Sequence, residues 1–203
     1  MTGTTEIYLV RHGQSIHNQQ HRIAGQLDSE LTAEGFEDAR NIARSIGRSD
    51  FDIIYSSDLR RARQTAEAIK AALHLTCPIQ VSPLLRELDY GEYTEQSVAD
   101  TFGVLDYKKV QHRPYPGGES FQDLERRVSQ FVEELRQLTK GQRVLVTAHA
   151  GSVRIMAMQF DPAHRQQHLE TSYGNRFLGR VVLDENGGLI SYEILQNPMK
   201  GGF

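Results

Sequence analysis

Short apolar runs alternate with longer stretches of helical period along this chain. Residues 6–10, EIYLV, read as a buried strand. Residues 32–48 then read as a helix, with Thr32 as N-cap and Phe36, Ala39, Ala43 and Ile46 recurring on one face. FDIIYSS, 51–57, is a second strand. Asp58 is placed to cap the next helix, whose inner face is Ala62, Ala66, Ile69 and Leu73. Pro78 closes that unit, and QVSPLL leads into a third extended segment. A longer helix is expected at 119–139, presenting Phe121, Leu124, Val128, Phe131, Leu135 and Leu138. RVLVTAH, 143–149, is the clearest strand, and a short helix from about 151 carries Val153, Met156, Ala157 and Phe160. Two late strands, near 177–183 and 189–195, flank an ENGG turn. Between about 89 and 118 the periodicity breaks down and turn residues dominate.

Strands alternating with helices imply a mainly parallel sheet covered on both faces, a three-layer α/β/α sandwich. Ligands in such folds bind beyond the carboxyl ends of the strands. Three strand ends carry polar chemistry. The first stops at Arg11-His12-Gly13, the second at Ser56-Ser57-Asp58 with Arg60 and Arg61 a turn later, and the third at His149-Ala150-Gly151. Parallel ordering brings these ends to one rim. The stretch YLVRHGQSIHN has no acid beside Arg11 and His12. Either a carboxylate reaches them from elsewhere in the fold, or the ligand brings the negative charge, and the convergence of two histidines with two arginines favours the ligand.

A chain of 203 residues, 38% of them hydrophobic, is expected to form a single domain, 1–203, with the poorly patterned 92–118 as a substrate lid. A net charge of −3 argues against nonspecific binding of nucleic acid. Cys77 is the only cysteine, which excludes an intrachain disulfide. The opening MTGTTEIYLV lacks the basic and apolar regions of a signal sequence, and no apolar stretch approaches a membrane span. A soluble cytoplasmic protein is therefore expected, without a membrane partner; a homo-oligomer stays open.

The converging groups suit a phosphoryl group. Arginine meets it with a planar fork of donors and keeps its charge. Backbone N–H groups at a helix N-terminus add donors, which suits Gly13 and Ala150-Gly151. A neutral histidine can attack phosphorus, and nearby arginines hold it neutral. A second histidine can donate to the transferring group, and a general acid must protonate the leaving oxygen. Losing one aimed donor would cost roughly 2.7–4 kcal/mol of barrier, by analogy with oxyanion holes.

LVRHGQS, SSDLRRARQTA, LLRELDYGEY, PGGES and TAHAGSVR, in that order over about residues 7–155, resemble the histidine phosphatase superfamily, also called phosphoglycerate mutase-like. The resemblance implies that His12 is the phosphorylated nucleophile and Arg11 its phosphate-binding neighbour. It implies that Arg61 is the second phosphate arginine, His149 the second catalytic histidine and Glu87 the proton donor. Asn18 stands where the family often has a phosphate-contacting polar residue. The implied activity is hydrolysis of a small phosphomonoester through a phosphohistidine, with no metal or other cofactor. Three departures stand out: GEYTEQ replaces the family's tryptophan-bearing run, Ala150 follows His149 where glycine is commoner, and 92–118 is shorter than the mutase insertion and lacks its arginine pair, leaving Arg113 alone. The last favours hydrolysis over mutase transfer.

Other readings are weaker. His17, His21, Arg22, Ser57, Arg113 and Glu119 could line the mouth, but surface or turn roles serve each equally well. Glu87 could simply pair with Arg86 or another arginine. Ser15 follows a strand, yet His17 replaces the second glycine that a nucleophile elbow requires. His164 and His168 lie four apart without a third metal ligand and are expected to be a solvated pair. A phosphate-binding module without turnover is the rival from outside enzymes.

Overall fold

The computed structural model describes residues 3–47, 50–101 and 112–198. Six strands are present: β1 (Thr5–Arg11), β2 (Ile53–Ser57), β3 (Ile79–Ser82), β4 (Arg143–Ala148), β5 (Leu178–Leu183) and β6 (Leu189–Gln196). The helices are α1 (Ile16–Gln19), α2 (Ala33–Ile46), α3 (Arg60–Ala72), α4 (Val98–Thr101), α5 (Phe121–Leu138), α6 (Ala150–Phe160) and α7 (Arg165–Glu170). The strands form one sheet in the order β3-β2-β4-β1-β5-β6. The β3-β2-β4-β1 part is parallel, while β5 and β6 continue it antiparallel.

Alternation along the central strands builds a core on each face. Ile7, Leu9, Val144, Val146 and Ala148 pack with Leu124, Val128, Phe131 and Met156 of α5 and α6. Tyr8, Val10 and Leu145 pack on the opposite face with Ala39, Ile42, Ala66 and Ile69 of α2 and α3. The expected three-layer α/β/α sandwich with a mainly parallel sheet is therefore what forms. No helix among the described residues is long and apolar enough to cross a membrane.

Local chemistry explains most of the boundaries. Thr32 caps α2 as expected, its hydroxyl accepting the Gly35 N–H at 3.1 Å. Ser120 caps α5 through a capping box with Asp123. Asp58, in contrast, does not cap α3: Leu59 stands at that position, and the Asp58 carboxylate takes the Arg86 guanidinium instead at 2.5–2.9 Å. Leu138, expected on the inner face of α5, is the helix's last residue and is 66% exposed, while the next residue, Thr139, is buried in its place. The pair His164 and His168 is also not jointly solvated. His168 is buried, donating to Asp161 at 3.1 Å and accepting the Tyr173 hydroxyl at 3.2 Å, while His164 stays exposed.

Of 92–118, the segment expected to be a lid, residues 102–111 lie outside the described residues. Its flanks pack inward: Tyr115 is buried, with its ring centroid 5.3 Å from Tyr90 and 5.8 Å from Tyr93.

Phe131 is 2% exposed and meets Tyr55 edge-on at 5.5 Å, tying α5 to β2. Phe131→Ala should therefore lower unfolding free energy by about 3–5 kcal/mol, read as a fall in the denaturant midpoint.

Candidate active site

The site begins with two strand ends. Arg11 pairs with Ala148 in the β1–β4 ladder, and the His12 N–H donates to the Ala148 carbonyl at 2.9 Å. His12 and His149 thus leave adjacent parallel strands at the same level. Their ring centroids are 5.1 Å apart, and both are almost fully buried. The chain after β1 is pressed against the start of α2. A Cβ on Gly13 would overlap the Gly35 carbonyl oxygen, so only glycine lets the backbone turn there.

Hydrogen bonds fix the His12 tautomer. Nδ1 lies 2.7 Å from its neighbour's carbonyl oxygen, Gly13 O, so it carries the proton. Nε2 then holds a lone pair, which accepts Arg61 Nε at 3.2 Å. Arg61, in the first turn of α3, is 1% exposed, and its terminal nitrogens donate to the carbonyls of Leu27 (2.8 Å) and Gly25 (2.7 Å). Those carbonyls aim the guanidinium without neutralising it. Burial lowers the Arg61 pKa to about 10. Arg11 donates to the Tyr173 carbonyl, and its Nε is buried without a hydrogen-bond partner.

His149 meets Ser57 Oγ through Nε2 at 2.9 Å, and its Nδ1 is buried without a partner. Burial, and then the charges of Arg61 and Arg11, push His12 well below the ordinary imidazole value. His149 is depressed in the same direction by burial, Arg61, His12, Arg11 and Arg127. The same causes disfavour the imidazolium on both rings, and a neutral imidazole still carries one N–H to donate.

Glu87 reaches the site from the loop after β3. Its carboxylate accepts the Gly151 N–H at 3.2 and 3.3 Å, at the start of α6, and the Leu88 N–H at 2.9 Å. It does not pair with Arg86, which is held by Asp58. Arg127 of α5 secures the loop by donating to the carbonyls of Leu84 (3.0 Å), Arg86 (2.6 Å) and Glu87 (2.8 Å). Glu119 closes that clamp, paired with Arg127 at 2.8 Å and accepting the Asp89 N–H at 3.1 Å.

A cavity of about 280 Å³ opens here, lined by Arg11, His12, Asn18, Arg61, Glu87 and Ala150 among others. Every residue singled out from the sequence as a site residue lines it except His149, which is fully buried beside His12. Asn18 also has a structural task. Its Oδ1 accepts from Ser15 N, Ser15 Oγ and Asn175 Nδ2 at 3.0–3.1 Å, which leaves the amide nitrogen as the group able to donate to an anion. Arg22 lines the mouth, whereas Arg113 is exposed, Ser57 is buried against His149 and Glu119 belongs to the clamp. Sequence reasoning missed Tyr90, Arg154 and Tyr173 as cavity residues. Arg154 had a signal, since it stands one helical turn beyond Ala150; Tyr173 had none. Among the described residues, no group of three or more His, Cys, Asp or Glu side chains is placed to share a metal ion.

Sheet and site together define an α/β protein with a cationic, histidine-bearing pocket at the carboxyl edge of its parallel strands. The chain belongs to the histidine phosphatase superfamily (branch 1), whose family model matches residues 7–192. It is similar to a 2,3-bisphosphoglycerate-dependent phosphoglycerate mutase of Parvibaculum lavamentivorans, 32% identical over 200 residues, covering 93% of this chain and 95% of that one. A protein of Hydrogenobacter thermophilus provisionally named phosphoserine phosphatase 2 is 38% identical over 154 residues, covering 72% and 74% of the two chains. Among solved structures, a mycobacterial glucosyl-3-phosphoglycerate phosphatase superposes with a TM-score of 0.76 at 25% identity, covering 94% of this chain and 97% of that one.

Two outcomes are expected of this geometry. A Cβ on Gly151 would run into Glu87 Oε1 and Leu124, so Gly151→Ala should displace the carboxylate. Turnover should fall by about 10–100-fold while the fold is kept, checked by kinetics beside circular dichroism. In an NMR titration of the free protein, the His12 ring should stay neutral as pH falls through 6.5. Arg61→Gln removes a cation that opposes the imidazolium, so the His12 midpoint should move upward in that variant. A wild-type midpoint at or above 6.5 contradicts the assignment.

Proposed function

We propose that the chain hydrolyses phosphomonoesters of small metabolites through a phosphohistidine on His12. One observation carries this: His12, its Nδ1 turned to the Gly13 carbonyl, presents the Nε2 lone pair in a buried cup of cations where Arg11 Nε and His149 Nδ1 have no partner. Buried polar groups are normally satisfied, and a phosphoryl group supplies the acceptors.

In this reading Nε2 of His12 attacks phosphorus in line. The N–P bond forms as the bond from phosphorus to the ester oxygen breaks. Arg11, Arg61 and His149 hold the equatorial oxygens, with Asn18 and the Ala150 N–H as further donors. Catalysis is mostly positioning and electrostatics. Glu87, in its acid form, gives its proton to the leaving oxygen. As a carboxylate it then takes one from water, whose oxygen displaces His12 from phosphorus and restores both groups. No step calls for a metal or other cofactor. The chain acts as one domain in the cytoplasm, and 92–118 serves as the substrate lid.

The mutase-named relative favours a second reading, in which the phosphoryl group returns to the substrate. Two features support hydrolysis: the phosphatase-named relatives, and Arg113, which is exposed rather than part of an arginine pair at the cavity.

His12→Ala should abolish phosphate release from p-nitrophenyl phosphate, and labelled substrate quenched in alkali should leave an acid-labile adduct on His12. Label on another residue, or activity without that imidazole, would falsify the mechanism. With 3-phosphoglycerate as substrate, isomer formed without phosphate release would establish transfer in place of hydrolysis.

A further inference from the structure

Ser57 does not line the cavity, yet it is the one hydrogen-bonding partner of His149's ring among the described residues. We infer that Ser57 is a positioning residue that sets the tautomer of His149, making Nδ1–H the donor to the transferring group. The inference rests on the phosphohistidine reading above and deepens it at one atom.

Ser57 is the last residue of β2 and is fully buried. Its Oγ has one hydrogen to give and two lone pairs to offer. The Leu59 N–H occupies one lone pair at 3.3 Å, as the chain turns into α3. His149 Nε2 lies 2.9 Å from the same oxygen. Two arrangements are open. If Nε2 carried the proton, it would fill the second lone pair of Oγ. The serine hydrogen would then have no acceptor among the described residues, and Nδ1 would turn a lone pair toward the oxygens of an arriving anion. If the serine donates to Nε2, the hydroxyl is satisfied in both senses. The imidazole proton then sits on Nδ1, the ring atom that has no other partner.

Only the second arrangement satisfies every buried group once an anion arrives, and unsatisfied buried donors are costly. It also removes the need for His149 to be charged. Burial, and the neighbouring cations Arg61 and Arg11, oppose its imidazolium. A fixed neutral tautomer still offers a donor there. His12 and His149 therefore receive opposite tasks from different partners. The Gly13 carbonyl frees a lone pair on Nε2 of His12, and the Ser57 hydroxyl frees an N–H on Nδ1 of His149.

The test uses the full chain labelled with 15N-histidine. The ring nitrogen shifts of His149, identified by the resonances lost in His149→Asn, should report a protonated Nδ1 and a bare Nε2 in wild type. In Ser57→Ala the proton should redistribute toward Nε2. With p-nitrophenyl phosphate, Ser57→Ala should lower kcat by about 10²-fold, the loss of one aimed donor, with KM changed far less. Ser57→Thr, which keeps the hydroxyl, should recover most of that loss. A wild-type His149 protonated on Nε2 overturns the inference even if no Ser57 variant folds, and so does an unchanged kcat in Ser57→Ala. The His12 adduct is read separately. If it forms while His149 shows the wrong tautomer, the Ser57 assignment fails alone. If it does not form on His12, the phosphohistidine reading fails whatever the tautomer.

Discussion

The structure depends first on the parallel pairing of β1 with β4. That ladder runs from Glu6 opposite Arg143 to Arg11 opposite Ala148, and it continues by one hydrogen bond from His12 to the Ala148 carbonyl. A one-residue slip would turn Ile7 and Leu9 from the α5–α6 face to the other and would separate the two histidines. The same apolar alternation that specifies the core therefore specifies the distance between the rings. Register is an unusually firm way to hold catalytic groups, because burial on both faces of the sheet resists its change.

The second constraint is electrostatic. Arg11 and Arg61 are both nearly buried beside two histidines. Carbonyl oxygens of Gly25, Leu27 and Tyr173 orient the guanidiniums while leaving their charge uncancelled. Burial lowers the pKa of each arginine, which records the cost of keeping a charge there. The carboxylate of Glu87 is turned onto the first turn of α6, where the Gly151 N–H donates to both its oxygens. An anionic ligand can thus enter without displacing a resident salt bridge to Glu87.

How much of this was legible in the sequence follows from which contacts are local. The strand ends were readable, because an apolar run that stops on Arg-His-Gly or His-Ala-Gly needs only its own pattern. Thr32 was readable as a cap because its partner, the Gly35 N–H, is three residues away. Asp58 was misread because its actual partner, Arg86, arrives from 28 residues further along. His168 was misread as solvated because Asp161, Tyr173 and Tyr192 enclose it from different segments. The Arg127 clamp left no trace in the pattern. Its task is to hold three backbone carbonyls, and carbonyls carry no residue identity. Local rules thus located the strand ends that meet at the cavity, while the framework around them depends on meetings between distant segments.

That division also bears on substrate choice. Of the groups expected to handle phosphorus, Arg11, His12 and His149 stand on or directly after β1 and β4, where core packing holds them, while Arg61 sits in the first turn of α3. Apart from Arg154 of α6, the rest of the cavity wall is drawn mainly from loops and short turns: Arg22 is tied by its Nε to the Glu95 carbonyl, and Tyr90 leads into a 3₁₀ turn that packs on Tyr115. A change in those loops alters what the pocket accepts without disturbing the β1–β4 register. Selectivity in this architecture can therefore vary at little cost to the phosphoryl chemistry, because the two are carried by parts of the chain with different mechanical support.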